Sequence, residues 1–181
     1  MAMADRRTQL ADAALAVVAE QGLKGLTHRA VDARAGVALG TTSNYFRNRA
    51  ALVGAAVDRV EELDSLLLLQ GDHRELPTTT AALAEQLAAA VMGLTDTNAP
   101  LTRARFVFAL DQPETVAAGH ERLVSALAQL LERLGLSDPR ARAEAVSDYS
   151  DGLALHLLTA RTGKGVDNAA VAKNIQLLLE G

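Results

Sequence analysis

Apolar residues recur with a helical period along nearly the whole chain, and no stretch alternates with the period of two that marks a strand. Leu10, Ala14, Val17, Val18 and Gln21 lie at i, i+4, i+7, i+8 and i+11, one face of a helix that Gly22 ends. Thr27 then serves as N-cap for a helix from His28 to about Ala35, closed by Gly36. Val37 supplies one buried anchor, and Ala38 to Tyr45 is long enough for two more helical turns. From Asn48 a helix can run to about Leu69, or about 33 Å at roughly 1.5 Å per residue. Its apolar face uses Leu52, Ala56, Val57 and Val60 in the first half and Leu63 with Leu66 to Leu69 in the second, and Gly54 is its weak point.

A linker, GDHRELPTTT, follows, with Pro77 and three threonines as stop and start signals. Helices then fit 79–94, 101–111, 114–134, 138–162 and 167–180. The breaks are TDTNAP, the Gln112-Pro113 step, Gly135 with Ser137-Asp138-Pro139, and Gly163 to Gly165 before Asp167. The expectation is an all-α protein of about nine helices. A small unit over 1–47, in which the first helix covers two short ones, is followed by a helical body over 48–181.

The two short helices pivoting on Gly36 have the layout of a helix-turn-helix. In that motif the second helix enters the major groove, which favours small and hydroxyl-bearing residues. The LGTTSNY run matches: Gly40 removes a side chain, and Thr41, Thr42, Ser43, Asn44 and Tyr45 carry donors. Spacing alone fits an ordinary helical hairpin with a glycine turn equally well.

Charge changes the picture. The chain's net charge of -4 looks wrong for a DNA binder until it is divided. Residues 1–60 hold eight Lys or Arg against five Asp or Glu, whereas residues 61–181 hold ten against seventeen. A basic head on an acidic body suits phosphate attraction at one face. At 181 residues and 49% hydrophobic, the chain can bury a good core. It has no cysteine, which excludes disulfides and thiolate metal sites, and its four histidines are scattered at 28, 73, 120 and 156, outside metal-ligand spacing. No metal and no cofactor is expected. No run reaches the roughly 18 apolar residues of a membrane span and the N-terminus lacks a signal core, so a cytoplasmic protein without a membrane partner is expected. Nor does the sequence carry a GxSxG elbow, a phosphate loop, HExxH or a cysteine nucleophile, so an enzyme is not expected.

The EQGLKGLT approach to Thr27, the AGV turn at Ala35 to Val37, the GTT segment at Gly40, the Tyr45-Phe46 pair and the basic Arg49 followed by Leu52 together resemble the DNA-binding domain of the TetR family of transcriptional regulators. The resemblance covers roughly the first third of the chain. Two positions depart from the family pattern: Asp32 stands where a small residue is usual, so its carboxylate must point outward or find a partner, and Ser43 stands where tyrosine is common.

The resemblance implies roles at matching positions. Arg29 corresponds to a place from which relatives reach a base edge, where arginine pairs with guanine O6 and N7. Leu39, Gly40 and Thr41 would open the recognition helix, with apolar contact to a thymine methyl. Thr27, Thr42, Ser43, Tyr45 and Arg49 would meet phosphates, Asn44 would add a donor on the same helix, and Phe46 belongs to the core. The partner implied is double-stranded DNA bearing an inverted-repeat operator.

The C-terminal helices carry a second signal. Val146, Tyr149, Leu153, Leu157 and Ala160 form one stripe of 138–162, with Ala154, Leu155 and Leu158 on other faces. Val171, Ile175 and Leu178 form a stripe of 167–180, flanked by Leu177 and Leu179. Helices apolar over more than half their circumference need two surfaces to bury against, either their own core and a partner subunit or a fully internal position. TetR-like proteins pair through their last two long helices, so the resemblance implies a homodimer, with Val146, Leu153, Leu157, Val171, Ile175 and Leu178 as interface candidates.

By the same analogy the body senses a small-molecule effector of unknown identity, with Arg105, Phe108, His120, Tyr149 and His156 as pocket candidates. With 3% aromatics, an aliphatic pocket suits this chain better than a stacking one. The function expected is a sequence-specific repressor released from its operator by that effector. The alternatives are a DNA-binding activator or a regulator answering to a protein partner without a small-molecule pocket, and a helical dimer that has lost DNA affinity.

Overall fold

The computed structural model describes the backbone of residues 2–70 and 76–181, and their side chains apart from residues 2–5, 64–70 and 115. The expected linker residues 71–75, His73 among them, and the apolar side chains of Leu66 to Leu69 therefore lie outside the described residues. The described residues form nine α-helices: α1 (Ala2–Gly25), α2 (His28–Ala35), α3 (Thr41–Tyr45), α4 (Arg49–Gln70), α5 (Thr80–Thr95), α6 (Ala99–Asp111), α7 (Pro113–Arg133), α8 (Pro139–Leu158) and α9 (Asn168–Glu180). The all-α reading holds. None of the helices is long and apolar enough to cross a membrane, among the described residues.

Three boundaries differ from the periodicity. Gly22, expected to end the first helix, leaves helical geometry at φ +69° and kinks it, but α1 continues to Gly25. The second helix of the glycine turn begins at Thr41 rather than Ala38, because Gly40 sits in the left-handed region at φ +88° and the chain turns there instead of coiling. Helix α8 stops at Leu158, four residues short of the expected end. There the amides of Thr159 and Arg161 both donate to the carbonyl of His156, folding the chain into turns although its composition still permits helix.

Packing gathers residues 1–66 with 100–117 into one compact unit and 67–99 with 118–181 into another. In the first, α1 contributes Leu10, Ala14, Val17 and Val18, the stripe read from the sequence. These meet Leu26, Val31 of α2, Phe46, Leu52, Ala56, Val57 and Val60 of α4, and Ala104 and Phe108 of α6. The Arg59 guanidinium bridges Asp12 of α1 at 2.7 Å and Glu62 at 2.8 Å, bracing α4 on α1 at the rim of this core.

In the second unit, Leu83, Ala88 and Val91 of α5 face Val171, Ile175 and Leu179 of α9, with Val124 and Leu131 of α7 and Ala143, Val146 and Leu153 of α8 completing the core. Arg142 ties helix ends together, donating to the carbonyls of Leu179 at 2.6 Å and Ser137 at 2.7 Å. Arg140 bridges Glu121 and Glu144, each at 2.6 Å, and its hydrogen bonds hold the Glu121 carboxyl down at about 2. All three side chains are well exposed, so this network adds little stability in water.

Gly54 is a weak point that nothing in the packing requires. A Cβ built there meets no atom within 4 Å. Gly54→Ala is expected to stabilise the first unit by about 0.5–1 kcal/mol through backbone entropy alone. Thermal denaturation of the two proteins side by side measures this, and a lowered melting temperature would show that the position needs the absent side chain.

Candidate nucleic-acid interface

The turn from α2 into α3 is built by local hydrogen bonds that its residue types dictate. The Thr27 hydroxyl accepts from the Ala30 amide at 3.1 Å, capping α2, and Gly36 closes the helix in the left-handed region at φ +67°. The Val37 amide returns to the carbonyl of Asp32 at 3.0 Å. After Gly40, the Thr41 hydroxyl donates to the Ala38 carbonyl at 2.6 Å and the Ser43 hydroxyl to the Gly40 carbonyl at 2.8 Å. Asn48 caps the next helix, accepting from the Ala51 amide at 2.8 Å.

Asp32 resolves the tension that its position created. Its carboxylate is buried at 1% exposure and points inward. One oxygen accepts from the Gly40 amide at 2.8 Å, and the other accepts from the Thr42 amide at 2.7 Å and the Thr42 hydroxyl at 2.5 Å. Burial alone would push its pKa up, but these three donors outweigh it and hold the carboxyl below its ordinary value.

The outer surface of the motif carries Thr27, Arg29, Leu39, Gly40, Ser43 and Asn44, all exposed, with Leu39 at 75%. Thr41 and Tyr45 are half-buried. Thr42, expected at a phosphate, is fully buried and has given its hydroxyl to Asp32, so it belongs to the inside of the motif. Arg49, also expected at a phosphate, donates to the carbonyls of Leu26 at 2.7 Å and Leu23 at 2.8 Å, which ties the start of α4 to the chain leading into α2. It stands with Lys24, Leu26, Thr27, His28 and Leu52 around a groove of about 370 Å3, so two cationic side chains border a capped helix start.

Two contributors escaped the sequence reading. His28 donates from Nε2 to the Phe46 carbonyl at 2.6 Å. Arg7 of α1 lies over the Phe46 ring, 4.7 Å from its centre, and its guanidinium approaches the Tyr45 carbonyl at 3.4 Å. The signal for the first was available, because His28 and Asp32 are four residues apart and share one face of α2. Nothing local marks Arg7, whose partners lie 38 or more residues away.

The residues expected in the body are distributed differently from their grouping. Phe108 is fully buried in the first unit's core, and Arg105 in the same unit is half-buried with its guanidinium 5.3 Å from the Phe106 ring centre. His120 and His156 belong to the second unit and are exposed, and the half-buried Tyr149 hydroxyl accepts from the Asn174 amide group at 3.0 Å. Of the interface candidates, Val146, Leu153, Val171 and Ile175 are buried in the second unit's own core, and Leu157 and Leu178 are half-buried. The apolar side chains turned outward on these helices are Leu155, 41% exposed, and Leu177, 61% exposed.

Residues 10–56, which span this motif and its supporting helices, match the family model of bacterial regulatory proteins, tetR family. No curated protein matches the chain. Among solved structures, a TetR-family member from Streptomyces coelicolor A3 is similar at 28% identity, with 96% of this chain and 97% of that one covered and a TM-score of 0.72. The multidrug binding protein EbrR, solved with ethidium, is similar at 26% identity over 96% of this chain and 97% of that one, with a TM-score of 0.69. A transcriptional regulator from Rhodococcus sp. Rha1 shares the fold at a TM-score of 0.77 and 20% identity, covering 96% of this chain and 93% of its own. Residues 10–56 thus carry the DNA-binding helix-turn-helix of the tetR family of bacterial regulatory proteins, and over its length the chain has the fold of a TetR-family member.

Proposed function

We propose that this regulator is a cytoplasmic repressor, which binds an inverted-repeat operator as a homodimer and leaves it when a small molecule binds the body. Residues 1–47 read the DNA, and 48–181 carry the dimer and effector surfaces. The observation that carries the reading is the outer face of the motif: Arg29, Leu39, Ser43 and Asn44 stand exposed on the turn and helix that would face the groove. Beside them Lys24 and Arg49 border the groove at the capped start of α2, a place for phosphate. Leu155 and Leu177, exposed on α8 and α9, support pairing with a second copy, because each leaves apolar surface for a partner to cover. A small-molecule effector is supported by EbrR, whose solved structures hold imidazole, proflavin, ethidium or malachite green. Such a ligand releases DNA only if it binds the non-reading conformation more tightly than the reading one.

The test is selection of duplexes from random sequence, followed by footprinting. A protected inverted repeat is the expected result, and the absence of any selected site at low salt would overturn the proposal. On the selected duplex, Arg29→Ala is expected to cost about 1–3 kcal/mol at one base position and relax preference there. Arg49→Ala is expected to weaken all duplexes alike and lower the salt slope by about one. Because Arg49 also holds two backbone carbonyls, its loss should in addition cost about 1 kcal/mol of stability. Equal operator affinity of parent and both variants at two salt concentrations would remove these roles.

A further inference from the structure

Helix α3 has five residues, far too few to hold itself in water. Its N-cap, Gly40, offers no side chain to its first amides, and its last carbonyls have no partner within the helix. From α2 come partners for the start of α3 and for Phe46, the residue that caps its end, while Arg7 of α1 approaches the Tyr45 carbonyl. At the start, Asp32 accepts from the Gly40 amide, the Thr42 amide and the Thr42 hydroxyl. At the end, His28 donates to the Phe46 carbonyl at 2.6 Å. The two residues are one helical turn apart on α2 and reach opposite ends of α3.

We propose that His28 and Asp32 form a two-point clamp that sets the position and tilt of α3, making them positioning residues for DNA reading. The inference rests on the DNA-reading role proposed above. Neither side chain needs to touch a base. They act through the side chains of α3 and its approach, above all Leu39, Ser43 and Asn44, whose placement against base edges follows the helix as a rigid piece. A displacement of about 1 Å is enough to break hydrogen-bonded readout, whereas phosphate contacts on flexible cations tolerate it. The clamp should therefore govern discrimination between sequences and leave general affinity for DNA alone.

The experiment uses the full chain with the substitutions Asp32→Asn, Thr42→Val, His28→Ala and His28→Gln. Asparagine places an NH2 group where one of the donors must be accepted, valine removes only the hydroxyl bond, and glutamine keeps an N–H donor for the Phe46 carbonyl. In the free protein, amide hydrogen exchange at Gly40 and Thr42 is expected to rise about tenfold or more in Asp32→Asn. On DNA, the ratio of affinities for the duplex selected by the parent and a scrambled duplex of equal length should fall about tenfold in Asp32→Asn and His28→Ala. His28→Gln should return the ratio to within about twofold of the parent. Binding to the scrambled duplex and its salt slope should not move.

Unchanged exchange at Gly40 and Thr42 would overturn the clamp. Faster exchange with an unchanged affinity ratio would show that the contacts stabilise the motif without positioning it, and would also overturn the inference. If Asp32→Asn does not fold, His28→Ala and Thr42→Val carry the affinity-ratio readout, and an unchanged ratio in both would overturn the inference. A parent that selects no duplex would defeat the proposed function and this inference together. A parent that selects one, with variants that keep its discrimination, would defeat this inference alone.

Discussion

Replacing Phe46 by alanine is expected to cost the DNA-binding unit about 3–5 kcal/mol, the range for emptying a fully packed aromatic site. The ring has no exposed surface and packs in one core with Leu10, Val18, Leu26, Val31 and Leu52, so α1, α2 and α4 all lose a neighbour at once. Arg7, which lies over the ring, loses its cation–π partner as well. Set against a typical domain stability of about 5–15 kcal/mol, the loss removes about a fifth or more of what holds the unit folded. Urea unfolding followed by far-ultraviolet circular dichroism measures it. A midpoint shift worth less than about 1 kcal/mol would mean that the site collapses around the missing ring. The same variant should lose DNA binding, since Phe46 caps the end of α3.

The second large effect belongs to assembly. Leu155→Glu combined with Leu177→Glu is expected to convert a dimer of the 19.0 kDa chain into a monomer, because two carboxylates would have to be buried without partners in the paired state. Each leucine is exposed within its own subunit, so the fold itself should survive, and an unchanged circular dichroism spectrum is part of the expectation. Operator affinity should fall by about 10²–10⁴-fold, the advantage lost when two linked reading heads become independent. Sedimentation equilibrium and a binding titration report the two halves. A variant that remains dimeric would place the pairing surface elsewhere on the molecule. Val146, Leu153, Val171 and Ile175 offer no such test, because charging any of them would damage the subunit's own core.

The helix-turn-helix was legible because its signals are local. Thr27 and Gly36 cap and close α2 through atoms within four residues, and the stripe Leu10, Ala14, Val17 and Val18 becomes the core face of α1 as its spacing required. The contact assignment was less legible. Thr42 and Ser43 are adjacent and both carry hydroxyls, yet one is buried against Asp32 and the other is exposed, and composition treats them alike. The family comparison made Asp32 look like a departure, whereas the structure makes it half of a pair with Thr42, joined across ten residues.

The C-terminal helices show the same limit from the other side. Periodicity identified which residues of α8 and α9 share a stripe, and the family resemblance offered that stripe to a partner subunit. Packing buries Val146, Leu153, Val171 and Ile175 in the subunit's own core, leaves Leu157 and Leu178 half-buried, and exposes Leu155 and Leu177. Spacing fixes which side chains lie together on a helix, since that depends only on 3.6 residues per turn. It cannot say which neighbour each face meets, because that follows from how separate helices share a core. By itself, then, the sequence determined the all-helical fold, the capped turn and the basic reading head, each a product of backbone geometry and near neighbours. Only the tertiary structure decided that Asp32 and His28 hold α3, that Thr42 and Arg49 spend donors inside the protein, and which leucines remain free, because each depends on groups distant in the chain brought together by burial.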